Sequence, residues 1–307
     1  MKRVQGLLDV KLPYRFTKDT MGLLIDKVIT KDLYPKDQEI RFNFCSLNYI
    51  EPSGVTILSN LFQWLMARGV NVKMIASKVV PSGSDNGLKY LDDSMFFNRY
   101  LGKTLYDNSK VRNTTLELQN VTYSGSYQWL ESTFTPWLAR EMCLKHNSLD
   151  VIRMCFGEIF NNINDHAEEN SGCIFAQHYP RINRVKISIS DFGIGIPNTI
   201  RKVDPSLTDT EALEKAVEEG YSSKSTPRNR GAGLSTLIKN VVGNYGGEVH
   251  IHSFRGILTC KQNNSDGVWI KSKQGTSNYP GTFIEIVLDT RNFEDEINDE
   301  EEFEWDL

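Results

Sequence analysis

From Ile40 to Phe44 apolar residues alternate with Arg41 and Asn43, the period of a strand with one buried face. After Glu51-Pro52-Ser53-Gly54 the spacing changes, and Val55, Ile57, Leu58, Leu61, Phe62 and Leu65 recur at helical intervals. That run stops at Arg68-Gly69, a cation in the last turn followed by a glycine terminator. Val70, Val72, Met74 and Ile75 then predict a second strand. A strand, helix, strand unit of this length winds as a parallel pair joined by a right-handed crossover.

Residues 81–87 are rich in Ser, Gly, Asp and Asn and read as a loop, and residues 88–102 as a short helix. A strand is expected over 114–121, where Leu116 and Leu118 alternate with polar residues. Helices are expected over 127–145, with Pro136 marking a start or a kink, and over 148–167. Two β-rich runs, 173–179 and 184–190, form a hairpin across 180–183. Further helices are expected over 211–218 and 234–244, and strands over 248–254, 268–271 and 282–288. This organisation divides the chain into a smaller α/β domain, 1–108, a larger domain, 109–292, and a tail, 293–307.

Composition narrows the class of protein. The 307 residues, 39% hydrophobic and 24% charged, suit two globular domains with their own cores. The net charge of −4 argues against a general nucleic-acid binder, which needs clustered Lys and Arg to release counterions. Nine acids fall in the last fourteen residues, and removing their charge leaves +5 on the rest. A mildly basic body of that kind suits a phosphate-bearing small molecule. Five cysteines without a C-x-x-C pair argue against a disulfide framework or a structural zinc site. The first ten residues lack an apolar signal region, and no stretch approaches the roughly 18 apolar residues of a membrane span, so a cytoplasmic protein is expected.

Three short segments carry unusual chemistry. In the expected helix over 148–167, Ile152, Cys155, Phe156, Ile159 and Ile163 share one face, and Glu158, Asn162 and His166 form a polar row beside it. A carboxylate and an amide one turn apart can address a hydrated Mg2+ and an activated water together, although a solvated helix flank has the same look. Asp191 leaves a strand into Phe192-Gly193-Ile194-Gly195-Ile196, where its carboxylate can accept a hydrogen bond from an exocyclic amine and the glycines let backbone approach a ligand. A plain tight turn is the simpler alternative. The basic, small-residue stretch from Gly220 to Ser235 includes Lys224, Arg228, Arg230, Gly231 and Gly233 and opens a helix at Leu234. Bare amides and nearby cations there suit phosphate, as a phosphate-binding lid, whereas a flexible surface loop would need none of them.

Taken in order, Glu158-x-x-x-Asn162, Asp191-x-Gly193-x-Gly195-Ile196 and Gly231-x-Gly233-Leu234 resemble the N, G1 and G2 boxes of the GHKL ATPase superfamily. That superfamily holds the ATP-binding domains of gyrase, Hsp90, sensor histidine kinases and MutL, with the anti-sigma serine kinases alongside. The resemblance covers about residues 148–288 and implies a Bergerat-type two-layer sandwich of helices on a mixed, largely antiparallel sheet. It implies ATP and Mg2+ as ligands, Asn162 on the metal, Glu158 orienting or activating water or a hydroxyl, and Asp191 on the adenine amine. Gly193, Gly195, Ile196, Gly231, Gly233 and Leu234 would shape the pocket and lid, Lys224 and Arg230 would meet phosphate, and Thr282, in Gly281-Thr282-Phe283, would lie near adenine. Residues 40–75, with Ser46 to Gly54 between strand and helix, look like a STAS domain. In the anti-sigma antagonists of that family a serine at the place of Ser53 accepts phosphate; here Glu51 and Pro52 replace the usual Asp and Ser, and Ser53 also reads as a plain helix N-cap.

Other nucleotide chemistries fit poorly. Asp191-Phe192-Gly193 imitates a protein-kinase magnesium motif, but no His-Arg-Asp loop or Val-Ala-Ile-Lys strand precedes it. No Walker loop occurs, and Asn198 stands where a dinucleotide fingerprint needs its third glycine. His146 lies too close to Glu158 to be the phosphoacceptor of a sensor histidine kinase. Three readings stay open: a Mg-ATPase whose nucleotide state switches a regulatory partner surface, a serine kinase of anti-sigma type with its STAS domain as substrate or mimic, and an ATP sensor without turnover. Each is compatible with a regulatory protein partner and with a homodimer.

Overall fold

The computed structural model describes residues 6–77, 86–121, 125–166, 172–219, 232–263 and 267–293, with the side chains of all but 121, 162–166 and 232. The expected loop at 81–87 and the tail after 293 lie largely or wholly outside these residues. The N-terminal unit comprises β1 (Leu7–Lys11), β2 (Arg15–Phe16), α1 (Gly22–Val28), β3 (Glu39–Asn43), β4 (Tyr49–Ile50), α2 (Pro52–Ala67), β5 (Asn71–Ile75), α3 (Gly87–Asp93) and α4 (Phe96–Leu101). β1, β3 and β5 form a three-stranded sheet in that order with both pairs parallel. The expected strand, helix, strand unit is thus present with its parallel pairing, and β1 and α1, which hydrophobic spacing does not single out, complete it. Gly69 takes φ 71° and the Val70 N–H closes back onto the Leu65 carbonyl at 3.1 Å, the stop that Arg68-Gly69 signals. At the other end Glu51, not Ser53, is the N-cap: Pro52 takes the first helical position, where its missing N–H costs nothing, and Ser53 lies inside the helix. The single helix expected over 88–102 is two, separated where Met95 turns left-handed at φ 65°.

The second unit comprises β6 (Thr115–Val121), α5 (Ser126–Trp129), α6 (Thr135–Met142), α7 (Asp150–His166), β7 (Gly172–Tyr179), β8 (Arg184–Asp191), α8 (Gly195–Arg201), α9 (Asp209–Ala216), α10 (Ala232–Ile238), β9 (Glu248–Gln262) and β10 (Val268–Asp289). A π-helical turn, Leu130–Phe134, joins α5 to α6 just before Pro136, widening the helix where the proline can neither donate a hydrogen bond nor clear the preceding turn. The five strands run β6-β7-β8-β10-β9, every neighbouring pair antiparallel, with helices against one face. Three separate short strands were expected after residue 248; they are parts of one long hairpin, β9 with β10. Its register shifts between Gln274 and Tyr279 and again between Tyr279 and Thr282, which breaks the period-2 pattern that would reveal a continuous strand.

The five-stranded sheet is covered on both faces. On the helix face, Ile174, Ala176, Ile187, Ile189, Ile251, Ile284 and Ile286 bury against Ile152, Cys155, Phe156, Ile159 and Phe160 of α7 and residues of α6 and α10. On the opposite face, Cys173, Phe175, Tyr279 and Phe283 join the core of the N-terminal unit. The successive residues Cys173, Ile174, Phe175 and Ala176 alternate between the two cores, as a strand buried on both sides requires. Leu116 and Leu118, expected on one face, enter different cores because β6 bulges between Leu116 and Gln119.

Helix α2 lies between the two sheets and is buried from Pro52 to Phe62. Its apolar side meets the small sheet, where Phe62 packs on Phe42 at 4.7 Å between ring centroids. Its small polar side chains meet the large sheet: Thr56 and Ser188 share a hydroxyl hydrogen bond of 2.7 Å, and Ser59 and Asn60 lie against Cys173. Two ion pairs fasten the same interface, Lys186 with Glu51 at 2.8 Å and Lys18 with Glu285 at 2.7 Å. Burial opposes the charge on Lys18, but the Glu285 carboxylate outweighs it and holds the lysine pKa above its ordinary value.

Candidate functional site

The Asp191 turn is assembled at the end of β8, where the central strands β8 and β10 meet. Ile189 belongs to the helix-side core, so alternation turns Ser190 to the N-terminal unit and Asp191 back to the helix face. Ser190 confirms this by hydrogen bonding the hydroxyl of Tyr279. Asp191 is 6% exposed, and its Oδ1 accepts the Gly193 N–H at 2.9 Å. Burial pushes its carboxyl up to about 7, although N–H groups of Gly193 and Thr282 work the other way by favouring the ionised form. A buried acid of that kind has a standing demand for a hydrogen-bond donor.

The backbone around it leaves no room for side chains. Gly281, at φ 117°, would place a Cβ 2.4 Å from the Asp191 carbonyl oxygen and 2.6 Å from the Gly193 nitrogen. Gly195, at φ 72°, would drive one into the Phe254 ring at 2.6 Å. Both positions therefore need glycine for conformation and for space. Thr282 pairs with Asp191 on one side and with Ser253 on the other, and is itself half-buried. The Ser253 hydroxyl ties the arrangement together, accepting the Ile196 N–H at 3.1 Å and donating to the Gly281 carbonyl. Sequence reasoning missed Ser253, since a serine inside an expected strand carries no signal of its own. Phe254 was missed too; it holds φ 48°, rare for a non-glycine residue, at the bulge opposite Tyr279.

The structure therefore brings Asp191, Gly193, Gly195, Ile196 and Thr282 into one cluster. Glu158 stands on an exposed side of α7, away from the buried row Ile152, Cys155, Phe156 and Ile159. Asn162 belongs to the same helix, but its side chain lies outside the described residues, as does that of Ile163. Lys224, Arg228, Arg230 and Gly231 lie outside them entirely. Gly233 and Leu234 fall in α10, with Leu234 packed against the helix-side core. Ser53 is fully buried, where its hydroxyl accepts the Lys18 N–H at 3.1 Å and donates to Glu51 at 3.3 Å.

Residues 147–292 match the family described as histidine kinase-, DNA gyrase B-, and HSP90-like ATPase. This match supports a GHKL-type ATPase domain at residues 147–292 and, with it, ATP binding. Among solved structures, the ATPase region of Saccharomyces cerevisiae topoisomerase II is similar at 11% identity, with a TM-score of 0.20, over 36% of this chain and 30% of that one. The same region bound to ICRF-187 (dexrazoxane) gives 13% identity and a TM-score of 0.21 over the same shares. No curated protein matches the chain. Among the described residues no helix is long and apolar enough to cross a membrane.

Proposed function

We propose that the C-terminal unit binds Mg-ATP at the Asp191 turn and hydrolyses it, and that nucleotide state is passed to the N-terminal unit or to a regulatory protein partner. The observation that carries this reading is the buried Asp191 carboxyl, held beside Gly193 and Thr282 with a pKa pushed up to about 7. The exocyclic amine of adenine would add a donor to the Gly193 and Thr282 N–H groups already on this acid, and guanine presents a carbonyl oxygen at the equivalent place. Gly195 and Gly281 let the turn close against Phe254 and against the Asp191 and Gly193 backbone, which fixes the carboxyl in place.

The roles along the phosphate end follow from the family. Asn162 would ligate Mg2+, Lys224 and Arg230 would meet phosphate oxygens, and Gly231, Gly233 and Leu234 would form the lid. At that end Asn162 would hold the metal, and Mg2+ would supply neutralisation of phosphate charge. Among the described residues no group of three His, Cys, Asp or Glu could hold a metal ion. Glu158, exposed on α7 one turn before Asn162, would orient or deprotonate the attacking water. The N-terminal unit, whose parallel strand, helix, strand core is compatible with the STAS resemblance, serves in this reading as a docked regulatory module.

A serine kinase acting on Ser53 is the weaker reading, because that hydroxyl is fully buried and held between the Lys18 N–H and Glu51, and α2 would have to move to expose it. Incubation with γ-labelled ATP and Mg2+ separates the possibilities. Free phosphate supports hydrolysis, and label lost on Ser53→Ala supports the kinase. Binding with neither product marks a sensor. Asn162→Ala is expected to abolish Mg2+-dependent binding, Glu158→Ala to bind ATP but turn it over slowly, and Asp191→Asn to lose preference for ATP over GTP. Unchanged selectivity in Asp191→Asn removes the basis of the assignment.

A further inference from the structure

Asp191 and Phe192 are neighbours in sequence but face opposite sides of the large sheet. While the carboxylate turns to the helix face, the Phe192 ring packs against the core of the N-terminal unit. There it meets Trp64 of α2 edge-on, with centroids 6.1 Å apart and planes at 70°. It also meets Tyr279 of β10 at 5.4 Å and 87°. Both are favourable edge-to-face geometries. Trp64 is 3% exposed, and the Arg68 guanidinium sits 4.1 Å from its ring centroid. Tyr279 is 1% exposed, bonds Ser190, and precedes the Gly281-Thr282 segment that backs Asp191. The Phe192 ring of the turn is therefore gripped from behind by one ring from a strand, Tyr279 of β10, and one from a helix, Trp64 of α2, and only the helix belongs to the N-terminal unit.

We propose that Trp64 is a positioning residue of the nucleotide site: through the Trp64, Phe192 and Tyr279 cluster, α2 fixes the Asp191 turn, so that bound adenine nucleotide and the docked N-terminal unit stabilise each other. The inference rests on the nucleotide reading above for the identity of the ligand, and on ring geometry alone for the positioning. Reciprocity follows from linkage, since whatever α2 docking adds to nucleotide affinity the nucleotide returns to docking. The rings supply the differential contact that such coupling requires.

The test uses the full chain with Mg-ATP as probe, by calorimetry, together with amide hydrogen exchange at Gly193, Ile194, Gly195 and Ile196 without nucleotide. Trp64→Leu, which keeps apolar bulk and removes the ring, is expected to weaken ATP about three- to tenfold, the range of an aromatic pair, and to speed exchange at those amides. Trp64→Phe should restore both to within about twofold. Leu91→Val, a change to a fully buried residue in the same core, should lower the melting temperature without altering affinity or exchange at the turn. Phe192→Leu removes the other half of the contact at a half-buried position, so it reports even if Trp64→Leu does not fold; where both fold, the double variant should lose no more than Phe192→Leu alone. Wild-type affinity and exchange in Trp64→Leu and Phe192→Leu overturn the proposal, as does an equal loss of affinity in Leu91→Val. If the wild-type chain binds no adenine nucleotide, the functional reading fails, and the exchange measurement still decides whether Trp64 holds the turn.

Discussion

The two faces of the five-stranded sheet are covered by opposite means. Toward α7 the contact is oil against oil, with Ile187, Ile189, Ile284 and Ile286 under Cys155, Phe156, Ile159 and Phe160. Toward α2 aromatic packing is interleaved with hydroxyls, amides and two ion pairs. A hydrocarbon face tolerates small shifts in register, because dispersion and water release are not directional. A face built on Thr56 with Ser188 and Glu51 with Lys186 accepts one alignment, since a displaced partner leaves a buried polar group unpaired. The first face supplies stability for the domain, and the second specifies where the N-terminal unit sits.

Substitutions can break that contrast. Phe156→Ala on the oily face removes a fully buried ring that packs on Phe134 at 4.6 Å, and is expected to cost about 3–5 kcal/mol in urea denaturation. Asp191, at the rim where the faces meet, gives a pH signature. Its carboxyl is pushed up to about 7 from an ordinary 3.8, so the folded state holds a proton the unfolded state releases. Its stabilising share is complete below pH 3.8 and lost as pH rises through 7, about 4 kcal/mol in all, and Asp191→Asn should flatten that slope and be the more stable protein at pH 8. An adenine amine that needs the ionised acid would bind more tightly as pH rises through the same range, releasing a proton below it. Calorimetry in buffers of different ionisation enthalpy reads that proton directly.

On the polar face, Lys186→Met strands the Glu51 carboxylate, 8% exposed, and should cost about 3 kcal/mol, with part recovered in the Glu51→Gln double variant. Thr56→Val leaves the Ser188 hydroxyl without its partner, at about 1–2 kcal/mol. Following it with Ser188→Ala should add little, because the penalty belongs to the pair. Additive losses there would mean that the hydroxyls contribute separately and that the alignment is set by shape alone.

The oily face was the more legible one in the sequence. The 3.6-residue row on α7 and the alternation in β8 point to their burial without help, and the Asp191 and Gly195 turn follows from a strand running into glycines. The polar face reads wrongly for a physical reason: Thr56, Ser59, Asn60 and Gln63 recur at helical spacing as they would on a helix open to water. Nothing local distinguishes a solvated stripe from one that meets another sheet. Ser253 and Phe254 were illegible for a related reason, since their roles depend on a bulge in the distant β10. Glu158 and Asn162 were legible through the ordered motif rather than through any property of their own helix.

The burial of α2 bears on how this protein can be dissected. Cutting the chain near residue 108 would strip the large sheet of its second cover and present Cys173, Phe175, Tyr279 and Phe283 to water as a bare wall. Such a fragment would contain every residue of the nucleotide motifs and still be prone to clump, so the two halves are better expressed and studied as one piece.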